Sequence, residues 1–130
     1  MKLRIRGDSL RFRLSQAEVK RLQQGESIME HVRFHPQSSL MYGLKTQREV
    51  LAMTAQFEGN QVWVTVPAKM AFDWASSDKV EILGEQDNGA EKKLAILIEK
   101  DFTCLKPRRN ESEDESDLFP NPNEAHGSCS

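Results

Sequence analysis

Hydrophobic and polar residues alternate along the first fourteen residues of the chain. Leu3 and Ile5 alternate with basic residues, and Leu10, Phe12 and Leu14 do the same after a Gly-Asp-Ser interruption. A period of two is typical of strands with one buried face, so the stretch predicts an antiparallel hairpin whose leucines, isoleucine and phenylalanine face a core while its arginines face outwards. The Arg-Gly-Asp tripeptide between the two strands is then a turn and not an integrin-binding motif.

The period changes twice along the chain, and each change predicts a short helix. Ser15 and Glu18 have the spacing of a capping box, which starts a helix over about residues 16–24, and Gly25 can end it in a left-handed conformation. A second helix is expected over about residues 67–76, because Pro67 suits a first helical turn and the following alanines keep helical spacing.

The remaining ordered sequence consists of strand-like segments. Glu58-Gly59-Asn60 has the composition of a hairpin turn, and the continuous apolar run that begins at Leu94 predicts a central strand covered on both faces. The fold class that follows is α+β, with a mostly antiparallel, strongly curved or barrel-like sheet of about eight strands and two short helices. Beyond the first hairpin, the expected strands are 27–35, 40–45, 50–57, 61–66, 80–83 and 94–102.

Composition divides the chain into a domain and a tail. Residues 1–105 predict a single domain, whereas residues 106–130 contain three prolines and a dense acidic cluster, as an irregular C-terminal extension would. The sequence shows no repeat with a period typical of solenoids or propellers. No apolar run approaches the roughly 20 residues that span a bilayer, and the first residues do not have the pattern of a signal peptide, so a cytoplasmic protein without membrane contact is expected.

Charge is distributed unevenly between the two ends. Residues 1–21 carry seven basic and two acidic residues, a net charge of +5, and residues 111–130 carry six acidic and no basic residues. The basic strand face therefore predicts a site for a small anionic ligand or an acidic protein surface. A solvated face and an intramolecular contact with the acidic tail are the alternatives, and the lack of interleaved aromatic residues argues against nucleic acid. The predicted ligand-binding residues are Arg4, Arg6, Arg11 and Arg13.

Sulfur and imidazole ligands occur near the end of the chain. His126 and Cys129 have H-x-x-C spacing, and Cys104 follows the last expected strand. These three ligands could meet at a Zn²⁺ ion if the tail folds back, which makes a zinc-binding protein or small metalloenzyme the alternative to the anion-binding module. Zn²⁺ takes four ligands, and spacing does not single out the fourth among Asp117, Glu124, His31 and His35. The competing interpretation is a tail that merely contains these residues, and metal content would separate the two. No other cofactor is predicted.

Evidence for catalysis is sparse. Glu99 and Asp101 are expected on one face of the last strand, where paired carboxylates can raise each other's pKa, and His31, His35 and Cys104 are the other reactive residues considered. The sequence contains no nucleophile elbow, phosphate loop, zinc-protease motif or dinucleotide fingerprint. The balance is against an enzyme.

The segments MKLRIRGDSLRFRLSQAEV, ILIEKDFTCL and DLFPNPN together resemble a family of small uncharacterised bacterial proteins, which form a domain of unknown function of about this length. The resemblance covers nearly the whole chain and brings no activity, ligand or catalytic residue with it. It implies that EKDFTC and FPNPN belong to the family's pattern, and hence that Phe119 docks on the domain and holds the tail near Cys104.

Overall fold

A computed structural model describes residues 1–102 of the chain, and its ten elements follow the predicted order. The predicted capping box is confirmed, because the Ser15 hydroxyl accepts the Glu18 N–H while the Glu18 side chain accepts the Ser15 N–H. The predicted boundary at residue 105 lies outside the described residues. The elements are β1 Lys2–Ile5, β2 Ser9–Leu14, α1 Gln16–Gln23, β3 Ile28–His35, β4 Ser38–Gln47, β5 Thr54–Glu58, β6 Gln61–Pro67, α2 Ala68–Ala75, β7 Glu81–Gln86 and β8 Leu94–Lys100.

The strands form two four-stranded sheets and not a single barrel-like sheet, so that part of the prediction is wrong. Sheet A has the order β1-β2-β8-β7, and sheet B has the order β3-β4-β6-β5. Four of the six strand pairs are antiparallel, while β2–β8 and β4–β6 are parallel. The α+β class is confirmed. Barrel closure fails because the outer strands β1, β7, β3 and β5 each pair with one neighbour among the described strands.

The two halves of the described chain repeat one topology, ββαββ. Equivalent residues of the two halves are 52 positions apart: the pair Leu3–Phe12 in the first hairpin corresponds to the pair Ala55–Val64 in the first hairpin of the second half. The buried helix residues Val19 and Leu22 correspond in the same way to Ala71 and Trp74. Each sheet combines the first hairpin of one half with the last hairpin of the other half. The repeat escapes sequence inspection because the equivalent positions share hydrophobicity and not identity.

The core lies where the inner faces of both sheets and the two helices meet. Phe12 and Leu14 in sheet A, Leu44 and Val64 in sheet B, and Trp74 in α2 are fully buried. The helices pack against each other and present their apolar stripes to this core. The hairpin that opens the chain is thus oriented as predicted at Phe12 and Leu14. Ile5, also expected in the core, is 60% exposed because it lies at the open end of the edge strand β1.

Loss of the N-terminal cap of α1 should weaken the fold moderately. We expect Ser15→Ala to lower the free energy of unfolding by about 1 kcal/mol, because one helical N–H loses its acceptor. Urea denaturation measures this change, and Ser27→Ala, at an exposed position outside the helix, is the control. Equal stability of the two variants would show that the capping box contributes nothing.

Candidate functional site

The basic residues of the first hairpin lie on the side of sheet A that faces away from the core. The β1–β2 register places Lys2 directly opposite Arg13 and Arg4 directly opposite Arg11. Opposite residues of an antiparallel pair lie on the same face, about 5 Å apart, so the four side chains form two basic rows. Arg6 follows β1 at the turn, where the backbone N–H of Arg6 bonds to Ser9 and Gly7 adopts φ +53°. We call Lys2, Arg4, Arg6, Arg11 and Arg13 the basic face.

Two of these arginines converge on one carboxylate of the protein itself. Arg11 binds Glu99 in a bidentate manner, with Nε at 3.0 Å from Oε1 and Nη2 at 3.2 Å from Oε2. Arg13 donates from Nε to the same Oε1 at 2.8 Å. The carboxylate is nearly buried, with 8% of its side chain exposed, and the three side chains are held close because the parallel neighbours β2 and β8 place Arg13 directly beside Glu99.

The electrostatic environment favours the ionised form of Glu99. Burial alone would raise the pKa of this carboxyl, but the hydrogen bonds and positive charges of Arg11 and Arg13 outweigh burial, and the net pKa is lowered. Glu99 is therefore a bound anion. Acid–base work by a carboxylate pair would need a raised pKa at Glu99, and the pKa of Glu99 is instead lowered. Asp101 pairs with Lys2 at 3.5 Å.

The remaining basic residues lie towards the open edge of the sheet. β1 is the outermost strand on this side, and Lys2, Arg4 and Arg6 are all exposed. The opposite edge, β7, carries Glu81 beside Glu99 in the register, so charge changes from basic to acidic across sheet A. Of the predicted ligand-binding residues, the structure brings Arg11 and Arg13 together on Glu99 and places Arg4 and Arg6 on the exposed part of the same face.

A second ionic cluster, which the sequence does not indicate, joins α1 to sheet B. The ammonium group of Met1 lies 2.6 Å from Glu18 and 3.3 Å from Glu30, and the Tyr42 hydroxyl donates to Glu30 at 3.3 Å. Burial would lower the pKa of the ammonium group, but these carboxylates raise it overall. Burial, together with the charge of Glu30, raises the pKa of Tyr42. The carboxylates are engaged within the cluster, which therefore joins elements of the fold.

The alternative metal site cannot be placed on this geometry. Cys104, His126 and Cys129 lie outside the described residues, as does Phe119. Within residues 1–102, no three His, Cys, Asp or Glu side chains form a group suited to a metal ion. His31 and His35 lie on β3 in sheet B, whereas Glu99 lies on β8 in sheet A. The zinc interpretation stays a prediction, which metal analysis of untagged protein tests: one ion per chain supports it.

Comparisons with known proteins give a family and no activity. A family model described as "Family of unknown function (DUF7009)" matches residues 1–123. No curated protein and no solved structure matches the chain. Among the described residues, no helix is long and apolar enough to cross a membrane.

Proposed function

Since the chain belongs to this family of unknown function, we propose from the site itself that it is a module that binds an anionic ligand, specifically an acidic protein segment, through the basic face. The observation that supports the proposal most is the capture of Glu99 by Arg11 and Arg13. It is an example, within the protein, of carboxylate recognition by guanidinium groups on rigid strands.

Glu99 also divides the basic face into two parts with different roles. Arg11 and Arg13 are committed to an internal carboxylate, with 26% and 12% of their side chains exposed. Lys2, Arg4 and Arg6 lie along the outermost strand β1 and are exposed, and Lys2 also pairs with Asp101. We assign ligand contact to the β1 side chains because they are the more exposed part of the basic face, while Arg11 and Arg13 support them by fixing the shape and positive potential of the surface.

The spacing of the β1 side chains favours an extended acidic segment over a single small anion. Alternate residues of a strand lie about 6.6–6.8 Å apart on one face, which matches alternate carboxylates of a second extended chain. Basic residues on an edge strand also discourage unwanted strand pairing, so a purely protective role is the competing explanation. If the arginines bind a ligand, an acidic peptide should bind the protein and its affinity should depend on Arg4 and Arg6. If they only protect the edge strand from unwanted pairing, no acidic peptide need bind.

Removal of two exposed arginines should weaken binding of an acidic probe. We expect Arg4→Gln/Arg6→Gln to bind a fluorescein-labelled ten-residue polyglutamate at least about tenfold more weakly than wild type at low salt, because two charge-assisted contacts are lost. Fluorescence anisotropy at two salt concentrations measures the affinity and its salt dependence.

The matched control removes the same charge elsewhere on the protein. Lys79→Gln/Lys92→Gln changes two exposed cations in loops and should retain wild-type affinity. The proposal fails if wild type does not bind the peptide at low salt. It also fails if the arginine and lysine variants lose affinity equally, since net charge alone would then explain the effect.

A further inference from the structure

A groove of about 1060 Å³ lies where β2 and β8 end, beside α1. Its buried lining is apolar and includes Leu14 and Val19, while Ala17 leaves room at the exposed side of the helix. Lys20 and Lys100 add positive charge. The one acidic residue among its described lining, Asp101, is paired with Lys2. The groove thus offers an apolar surface with a positive border.

The described part of the chain ends in this groove. Phe102, the last described residue, is one of the lining residues and is 49% exposed. The sequence continues to residue 130, and the family match extends to residue 123, well past the last strand. The family match therefore includes residues 103–123, which follow directly after a residue that lines the groove.

We propose that residues 113–120 of the same chain occupy this groove, with Leu118 and Phe119 against its apolar lining and the preceding acidic residues towards Lys20 and Lys100. The sequence Glu-Asp-Glu-Ser-Asp-Leu-Phe-Pro has the complementary order, with several negative charges followed by two large apolar side chains. The groove adjoins the basic face at the pair of Asp101 and Lys2 but is lined by none of the residues of that face, so this inference does not depend on the proposed ligand.

The connecting length suits an intramolecular contact. Leu118 is the sixteenth residue after Phe102, and a chain of sixteen residues has an r.m.s. span of about 20–24 Å. A short tether of this kind produces an effective concentration on the order of millimolar. Even an intrinsically weak site would then be substantially occupied, and two apolar side chains in a partly enclosed groove are sufficient for such a site.

Paramagnetic relaxation in the full-length chain tests the proposal. A nitroxide on Ser116→Cys, in a Cys104→Ser/Cys129→Ser background, should selectively broaden the backbone amide signals of α1, Gln16–Gln23. Leu118→Ser/Phe119→Ser should abolish this broadening. Ala17→Glu should abolish it independently, because the larger acidic side chain blocks the groove, and a carboxylate in a first helical turn is compatible with the helix.

The matched control, His126→Ser, lies beyond the family match and should leave the broadening unchanged. Three results would overturn the proposal: no localised broadening, broadening centred on the basic face, or broadening that persists in Leu118→Ser/Phe119→Ser. In a mixture of ¹⁵N-labelled chains without nitroxide and nitroxide-labelled chains without ¹⁵N, broadening of the ¹⁵N signals would also overturn the proposal, since the contact would then join separate copies.

Discussion

Gly43→Ala should lower the free energy of unfolding by about 2–3 kcal/mol, because strand β4 has no space for a side chain at this position. A Cβ atom there would lie 2.7 Å from the Ile28 carbonyl oxygen and 2.7 Å from Cζ3 of Trp63. The carbonyl belongs to the neighbouring strand, and the indole is held by a hydrogen bond to Gln61 and by Lys45 above its ring. Replacing glycine by alanine also reduces the conformational entropy of the unfolded chain, which stabilises the folded protein by at most about 1 kcal/mol. This gain is smaller than the cost of the steric overlap.

Gly84→Ala provides the matched control in the other sheet. A Cβ atom at Gly84 would also approach a neighbour to 2.7 Å, but that neighbour is Cε, the terminal methyl group of Met53. The Met53 Cε can shift by a change of side-chain rotamer even though Met53 is buried, and the Met53 Cβ, at 3.2 Å, needs a displacement of only a few tenths of an ångström, so we expect a loss of about 1 kcal/mol. Urea denaturation compares both variants with wild type. If the two alanine variants lost equal stability, the rigid contact at Gly43 would not be the cause.

Glu99→Gln should destabilise the protein by about 2–3 kcal/mol. The substitution preserves shape but leaves the charges of Arg11 and Arg13 adjacent without their shared carboxylate. The loss of stability would be larger if both arginines were fully buried, but Arg11 is partly exposed and water screens its charge. Glu85→Gln, in an exposed pair with Lys93 at 4.0 Å, is the control and should change stability little. A harmless Glu99→Gln would mean that the two arginines do not depend on this anion.

The same interaction predicts how stability depends on pH. The folded-state pKa of Glu99 is below its ordinary value of 4.5, so the unfolded chain takes up the proton first on acidification. The stabilisation from Glu99 is therefore complete above about pH 4.5 and is lost as pH falls through the lower folded-state pKa. We expect the stability difference between wild type and Glu99→Gln to shrink below pH 4.5. A difference that stays constant with pH would exclude an ionic origin.

Local features of the fold were predictable from sequence because they depend on neighbouring residues. The capping box, the hairpin turn at Gly59 and Asn60, where both residues have φ near +60°, and both short helices follow from such patterns. One strand was predicted to begin at Val50, but β5 begins at Thr54. Alternation was misleading there, since Leu51 is 95% exposed and contributes nothing to the core.

The candidate site shows where sequence reasoning stops. Alternation correctly placed Arg11 and Arg13 on an outward face, but it could not identify Glu99, 88 residues beyond Arg11, as their partner. That contact depends on the parallel pairing of β2 with β8, a non-local choice that neither strand's own pattern specifies. The same missing information produced the incorrect single sheet. The excess of positive charge near the start of the chain was the available signal, and it indicated an anion without locating it.

The exchange of hairpins between the two halves also fixes the order in which the sheets can be completed during synthesis. Sheet B has all its strands once Pro67 is made, and its parallel pair joins Tyr42 to Val62 across a short stretch of chain. Sheet A waits for Lys100, and its parallel pair joins Phe12 to Ile98, 86 residues apart. Because β8 is the last strand to be made, β2 carries an unpaired strand edge on the nascent polypeptide until then, and closing the longer loop also costs somewhat more chain entropy.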